Sequence, residues 1–151
     1  MAPVGEQPHS LYEQDYQGWI GKTVQLLRTR DFDQIDLENL IEEIESLGRS
    51  EKRAVLSYLI RLCEHLLKLK YWESEWENCS RQWQQEIANF RLEIELILED
   101  SPSLKNYLQE QFIGAYQKAR RRFLATSGLP EQAVPKAPNF TLEQALDEWW
   151  L

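Results

Sequence analysis

Arg61 and His65 stand four residues apart in a stretch patterned as a helix. One helical turn separates them, so a guanidinium and an imidazole share a face. Such a pair can bracket a phosphodiester, the imidazole moving a proton and the guanidinium stabilising developing charge. The same histidine, next to Tyr58 and Leu69 on the helical wheel, also fits a hydrogen-bonded residue at the border of an apolar core. A di-iron bundle is ruled out, because its Glu-x-x-His unit would need glutamate where Leu62 stands. Glu38, Glu42 and Glu45 fall on one helix face. Three carboxylates so placed suit a divalent cation or one half of an acid–base pair, and equally a solvated face pairing with Arg49 or Arg53. No set of three or four His, Cys or carboxylate residues has the spacing of a metal site, so neither metal nor cofactor is expected. Glycine-rich phosphate loops and nucleophile elbows are likewise missing from the sequence.

Other clusters point to binding instead of catalysis. Lys118, Arg120, Arg121 and Arg122 form the one basic run, with Lys105 upstream on the same helix. This is either a phosphate-binding patch or charge that complements a helix C-terminus. Tyr71, Trp72 and Trp76 alternate with Glu73, Glu75 and Glu77, a pattern suited to a cation- or peptide-binding surface or to closing the end of a bundle. Leu92 and Leu96 lie opposite the main apolar stripe of their helix and require a second partner.

The elements that carry these residues are all helical. No segment alternates with period two, and no Asn-Gly or Asp-Gly turn occurs. Residues 1–9 read as a loose polar lead containing His9. Ser10 and Glu13 form a capping box for a first helix. Asp36 caps a second helix, bearing Leu37, Leu40, Ile41, Ile44 and Leu47, which Gly48 should end. Ser50 then caps a third helix reaching Lys70. Its two apolar stripes, centred on Leu59, Leu62 and Leu66, make it the central element. Residues 71–80 read as a loop. A fourth helix follows over 81–99, with Trp83, Ile87, Phe90, Ile94, Ile97 and Leu98 on one face. A fifth starts at Asp100-Ser101-Pro102 and stops near Gly128. Pro130, Pro135 and Pro138 enforce an extended linker, after which Thr141 and Gln144 cap a short last helix. A helix so short needs its face of Leu142, Leu146 and Trp149 docked on the bundle, with Leu92 and Leu96 as the matching surface and Trp149 as the anchor. The expected architecture is a single domain over 1–151: an all-α bundle of about five helices with an extended proline-containing tail.

The run IDLENLIEEIESLGRSEKRAVLSYLIRLCEHLLKLKYW, with the later segments SRQWQQEIANFRLEIELIL, DSPSL, YQKARRRFLATSGLP and NFTLEQALDEWWL, resembles the domain-of-unknown-function 29 family of small bacterial, largely cyanobacterial, proteins. The likeness spans residues 10–151 and is most specific over ENLIEEIESLGRSE. It departs at Ile35-Asp36, where the family usually carries an acidic residue, and at Glu73-Ser74-Glu75, often a proline-containing loop. The resemblance implies an all-helical fold and a cytoplasmic location, and it implies no activity.

Composition narrows the function. The 151 residues carry 25 acidic against 17 basic side chains, a net charge of −8, which argues against broad nucleic-acid binding. No apolar run is long enough for a membrane span, and the first ten residues lack the basic and apolar regions of a secretory signal. Two cysteines without a framework, Cys63 and Cys79, fit a reduced cytoplasmic protein. The favoured expectation is a non-enzymatic interaction module whose partner is another protein or a second copy of itself. The alternative is a nucleic-acid hydrolase using Arg61 and His65 with the Glu38, Glu42 and Glu45 face.

Overall fold

Asp36 accepts hydrogen bonds from the backbone N–H of Asn39 at 3.4 Å and from its side-chain amide at 2.7 Å. This is the N-terminal cap expected of it, and it opens the longest helix of the chain. A computed structural model describes residues 10–151; the expected loose lead over 1–9, with His9, lies outside the described residues. Among the described residues all regular structure is helical: α1 (Leu11–Gln14), α2 (Tyr16–Arg28), α3 (Leu37–Tyr71), α4 (Trp76–Asp100), α5 (Leu104–Ser127) and α6 (Leu142–Leu146), joined in part by single 3-10 turns. Their contacts form two compact units, one ending at Gly48 and one covering Arg49–Leu151.

The first unit is a helical hairpin. Its opening helix is divided at Asp15 into α1 and α2. Asp15 leaves the helical region at φ −147°, and its carboxylate accepts from the Gly18 N–H at 2.9 Å, capping α2. Aspartate competes for backbone donors in this way and so favours caps over helix interiors. Gly18 permits it, because a Cβ there would stand 2.4 Å from an Asp15 carboxylate oxygen. Ser10, the expected cap, makes no side-chain capping bond. After α2 the chain reverses through Phe32–Gln34. The hydroxyls of Tyr12 and Tyr16 both donate to the Glu43 carboxylate, Tyr16 at 2.6 Å. Tyr16 begins α2, while Leu26 near its end shares a small cavity with Asp36. α2 therefore runs antiparallel to the start of α3.

Gly48 and Ser50 do not divide α3, whose helix runs unbroken from Leu37 to Tyr71. Gly128 is the one described glycine with a positive φ, so Gly48 is helical. A glycine inside a helix costs only about 1 kcal/mol, and no proline follows to enforce a stop. A Cβ at position 48 would meet no atom within 4 Å. Gly48→Ala is therefore expected to raise the unfolding free energy by about 0.5–1 kcal/mol, measured by thermal or urea melts. A helix ended by Gly48 in the left-handed conformation would be destabilised by the same change.

In the second unit α3, α4 and α5 surround one core. Val55, Leu59, Leu62 and Leu66 meet Ile87, Phe90 and Ile94 of α4 and Leu108, Phe112, Tyr116 and Phe123 of α5. Helix α4 starts five residues earlier than its apolar period indicates. The expected loop over 71–80 shrinks to a short turn, because the indole N–H of Trp76 donates to the Leu69 carbonyl at 2.7 Å. That bond satisfies one of the carbonyls left open at the end of α3. The acids of the stretch then fall at the start of α4, where the helix dipole favours them. Gly128, at φ 69°, ends α5 as expected.

The proline-containing tail is strapped along the core. Val134, Phe140, Leu142 and Ala145 are buried in it. Arg120 donates to the carbonyls of Glu131 and Val134, and the Tyr116 hydroxyl to that of Pro135. The Thr141–Gln144 capping box is present. The anchor differs from expectation: Trp149 is 88% exposed. Helix α6 ends at Leu146, and the Asp147 carboxylate accepts from the Trp149 N–H at 2.9 Å, forming a turn. That turn sends Trp150 inward in place of Trp149, onto the Phe140 ring at 5.3 Å.

Candidate interaction surfaces

Arg61 and His65 lie one turn apart on α3, within the second unit. The His65 Nδ1 stands 2.8 Å from the Arg61 carbonyl oxygen. A carbonyl only accepts, so Nδ1 carries the proton and Nε2 is the basic nitrogen. The ring sets its edge against Phe90 at 5.2 Å, as a histidine at a core border does. Burial lowers its pKa; Lys68 adds to the effect and the Arg61 carbonyl opposes it. The unfolded chain therefore binds more protons than the folded one between the ordinary histidine pKa of about 6.5 and the lower folded value. Stability is full above the unfolded pKa and is lost as pH falls through the folded one. Melting temperatures at pH 7.5 and 5.5 are expected to differ, with the acid value lower, and His65→Asn should shrink that difference.

Glu38, Glu42 and Glu45 belong to the first unit. No group of three or more His, Cys, Asp or Glu able to hold a metal ion occurs among the described residues. In the same stretch Glu43 accepts from the hydroxyls of Tyr12 and Tyr16, which hold its carboxyl below the usual carboxylate range. The basic run divides by function. Arg120 straps the tail, and Arg122 pairs through Nε with the buried Glu64 at 3.3 Å. Lys118 and Arg121 remain exposed. Trp72 stacks on Trp83 at 5.6 Å, and the Tyr71 hydroxyl accepts from the Asn139 amide at 3.2 Å. Trp76 is half-exposed while it caps α3. Of the aromatic and apolar residues offered for binding, Trp76, Leu92 and Leu96 stay open to solvent.

Two apolar surfaces stand out. Across the first unit, Val24 and Leu27 of α2, Phe32 of the turn and Leu37, Ile41, Ile44 and Leu47 of α3 are all exposed, Leu47 at 70%. Leu37, Ile41 and Ile44 each precede a buried α3 residue, Val55, Leu59 or Leu62, by 18 positions, which is five full helical turns. One stripe thus runs the length of α3, covered in its later part and bare in its earlier part. In the second unit a groove of about 950 Å³ opens between α4 and the tail, lined by Ile87, Arg91, Leu92 and Leu98 with Trp149 and Leu151. Arg91 forms its base, its guanidinium donating to the carbonyls of Ala145 at 2.8 Å and Trp150 at 2.7 Å.

Residues 11–151 match the family described as Domain of unknown function DUF29. The chain belongs to that family. No curated protein and no solved structure matches it.

Two side chains that organise this DUF29 chain carry no motif. Lys70 and Arg91 hold the tail together with Arg120 of the basic run. Lys70 donates to Asn139 at 3.0 Å and sits over the rings of Tyr71, Phe140 and Trp150 at 5.4–5.9 Å. For the Arg120 contacts there is an indirect signal. Three prolines deny residues 130–140 a helix, so their carbonyls must find donors elsewhere. Long cationic side chains on the neighbouring helices can reach them.

Proposed function

We propose that this DUF29 chain is a cytoplasmic, non-enzymatic interaction module whose partner is a protein chain. The carrying observation is the exposed row Leu37, Ile41 and Ile44 of the first unit, with the exposed Leu47 one turn beyond it. Contiguous apolar surface of this extent on a folded protein marks a binding site. The groups with chemical potential are otherwise engaged: His65 by a carbonyl and Phe90, Arg122 by Glu64, Arg120 by the tail. A net charge of −8 disfavours a polyanionic partner. Among the described residues no helix is long and apolar enough to cross a membrane. Cys63 and Cys79 are free thiols, as suits a reducing compartment.

The test is a photo-reactive residue in place of Leu47, irradiated in the native cell, with the same probe at Arg121 as control. A discrete protein adduct from position 47 and none from 121 is the expected result. No adduct at 47 overturns the reading.

A further inference from the structure

We propose that the groove between α4 and the tail docks a basic amphipathic helix of another protein. The groove lies wholly within the second unit and shares no residue with the exposed row at the start of α3. It is a second binding surface, beyond the one argued above.

Shape points to a helix. The lining follows α4 from Gln84 to Leu98. At 1.5 Å per residue that is about 21 Å, the length of a helix of about four turns. At 100° per residue Glu95, Glu99 and Leu92 stand about 40°, 80° and 100° round α4 from Arg91, on the side away from the buried Ile87 and Ile94. This wall therefore passes from an apolar floor to an acidic edge. The tail supplies the other wall, with Leu146, Trp149 and Leu151. A small-molecule site encloses most of its ligand, whereas Leu92, Trp149 and Leu151 are 51%, 88% and 55% exposed. An occupant here keeps one side in water, as a helix laid in an apolar groove does. Among the described residues there is no strand edge to pair with an extended peptide.

Charge sets the chemistry of that helix. Glu95, Glu99, Asp147 and Glu148 line the groove against the cations Arg91 and Lys105. The Arg91 guanidinium is turned to the carbonyls of Ala145 and Trp150, and Lys105 also attracts Glu143, which lies outside the groove. The carboxylates are thus in excess. Lysines or arginines along the edges of a partner's apolar stripe would face them, whereas an acidic partner would add like charge. Trp149 is the anchor for such a helix. Its indole offers a large open apolar face and a seat for a cation beside the Glu148 carboxylate.

The test is a displayed library of random peptides of about 16 residues, selected on the full chain at physiological salt and resynthesised for fluorescence titration. Enriched peptides should carry net positive charge, with large apolar residues at three- and four-residue steps. Their binding should weaken by about tenfold or more with Trp149→Ala, and likewise with the pair Glu95→Lys, Glu99→Lys. Lysines near the end of α4 suit the helix dipole, so the circular dichroism spectrum should not change. Glu110 and Glu131 are exposed carboxylates outside the groove. The pair Glu110→Lys, Glu131→Lys makes the same change of net charge and should shift binding by less than about twofold, because salt screens charge beyond about 8 Å. No enrichment overturns the proposal, as do enriched peptides that are acidic or lack the period. Binding indifferent to Trp149→Ala or to Glu95→Lys, Glu99→Lys overturns it, as does an equal loss with the control pair, which is attraction to net charge alone. Peptides lost instead with Leu47→Glu occupy the row at the start of α3, so the groove proposal falls and the interaction reading stands. A parent of twice 18.0 kDa that Trp149→Ala returns to one chain mass puts a second copy in the groove and likewise overturns the proposal.

Discussion

Leu62→Ala is expected to lower the unfolding free energy by about 2–5 kcal/mol, from lost transfer energy and from the cavity left behind. Leu62, like Leu59 and Leu66, has no solvent exposure. It lies in the core cluster with α4 and α5 residues, so no single element can move in to fill the space. Urea melts of parent and variant check this. A loss well under 1 kcal/mol would mean that α3 is peripheral to the second unit. The exposed Leu92→Ala serves as the contrast, with a change expected within about 0.5 kcal/mol.

Deleting residues 130–151 is expected to lower the melting temperature of the second unit by more than about 10 °C and to expose apolar surface to a hydrophobic dye. Val134, Phe140, Leu142 and Ala145 leave the core with the tail. Burying a large apolar side chain contributes about 1.5–3 kcal/mol, and several together exceed the cost of ordering the linker. For a chain of this size each 1 kcal/mol corresponds to roughly 2–4 °C. Removal also strips the ring contacts of Lys70 with Phe140 and Trp150 and the carbonyl partners of Arg91 and Arg120. A truncated protein that melts like the parent would make the tail a passive appendage. The milder change Trp150→Ala should move the melt in the same direction, while Trp149→Ala should leave it nearly unchanged, since only Trp150 packs on Phe140.

Much of the fold was legible before any coordinates. The all-α class, the Asp36 cap, the central apolar stripe of α3, the Gly128 stop and the Thr141–Gln144 box were read from residue type and spacing, and each is present. These are local properties: a period, a cap or a left-handed glycine is decided within a turn or two of chain. Misreadings arose where two local signals competed. Gly48 and Ser50 look like a stop and a start, yet the helix absorbs both because its continuation costs little. Asp15 looks like an ordinary helix residue, yet it caps, because Gly18 leaves room for its carboxylate. Trp76 sits in an aperiodic stretch, yet it starts α4 through a bond to a carbonyl seven residues back.

The candidate site was less legible, and the reason is distance along the chain. Sequence alone determined the supply of groups: an acidic helical chain, one helix-borne histidine, a basic run and no ligand set with metal spacing. Which of those groups were already committed was decided by tertiary contacts. Arg122 meets Glu64 across 58 positions, Arg91 meets Ala145 across 54, and Lys70 meets Asn139 across 69. Sequence placed Leu37, Ile41 and Ile44 on one helix face and Leu59 and Leu62 on another, and the unbroken helix Leu37–Tyr71 joins the two rows in phase. Only the tertiary structure decided that Leu59 and Leu62 are buried with α4 and α5, and that Leu37, Ile41 and Ile44 of the first unit are exposed. Helical phase is set by 3.6 residues per turn and can be counted, whereas which face another element covers depends on where the whole chain returns.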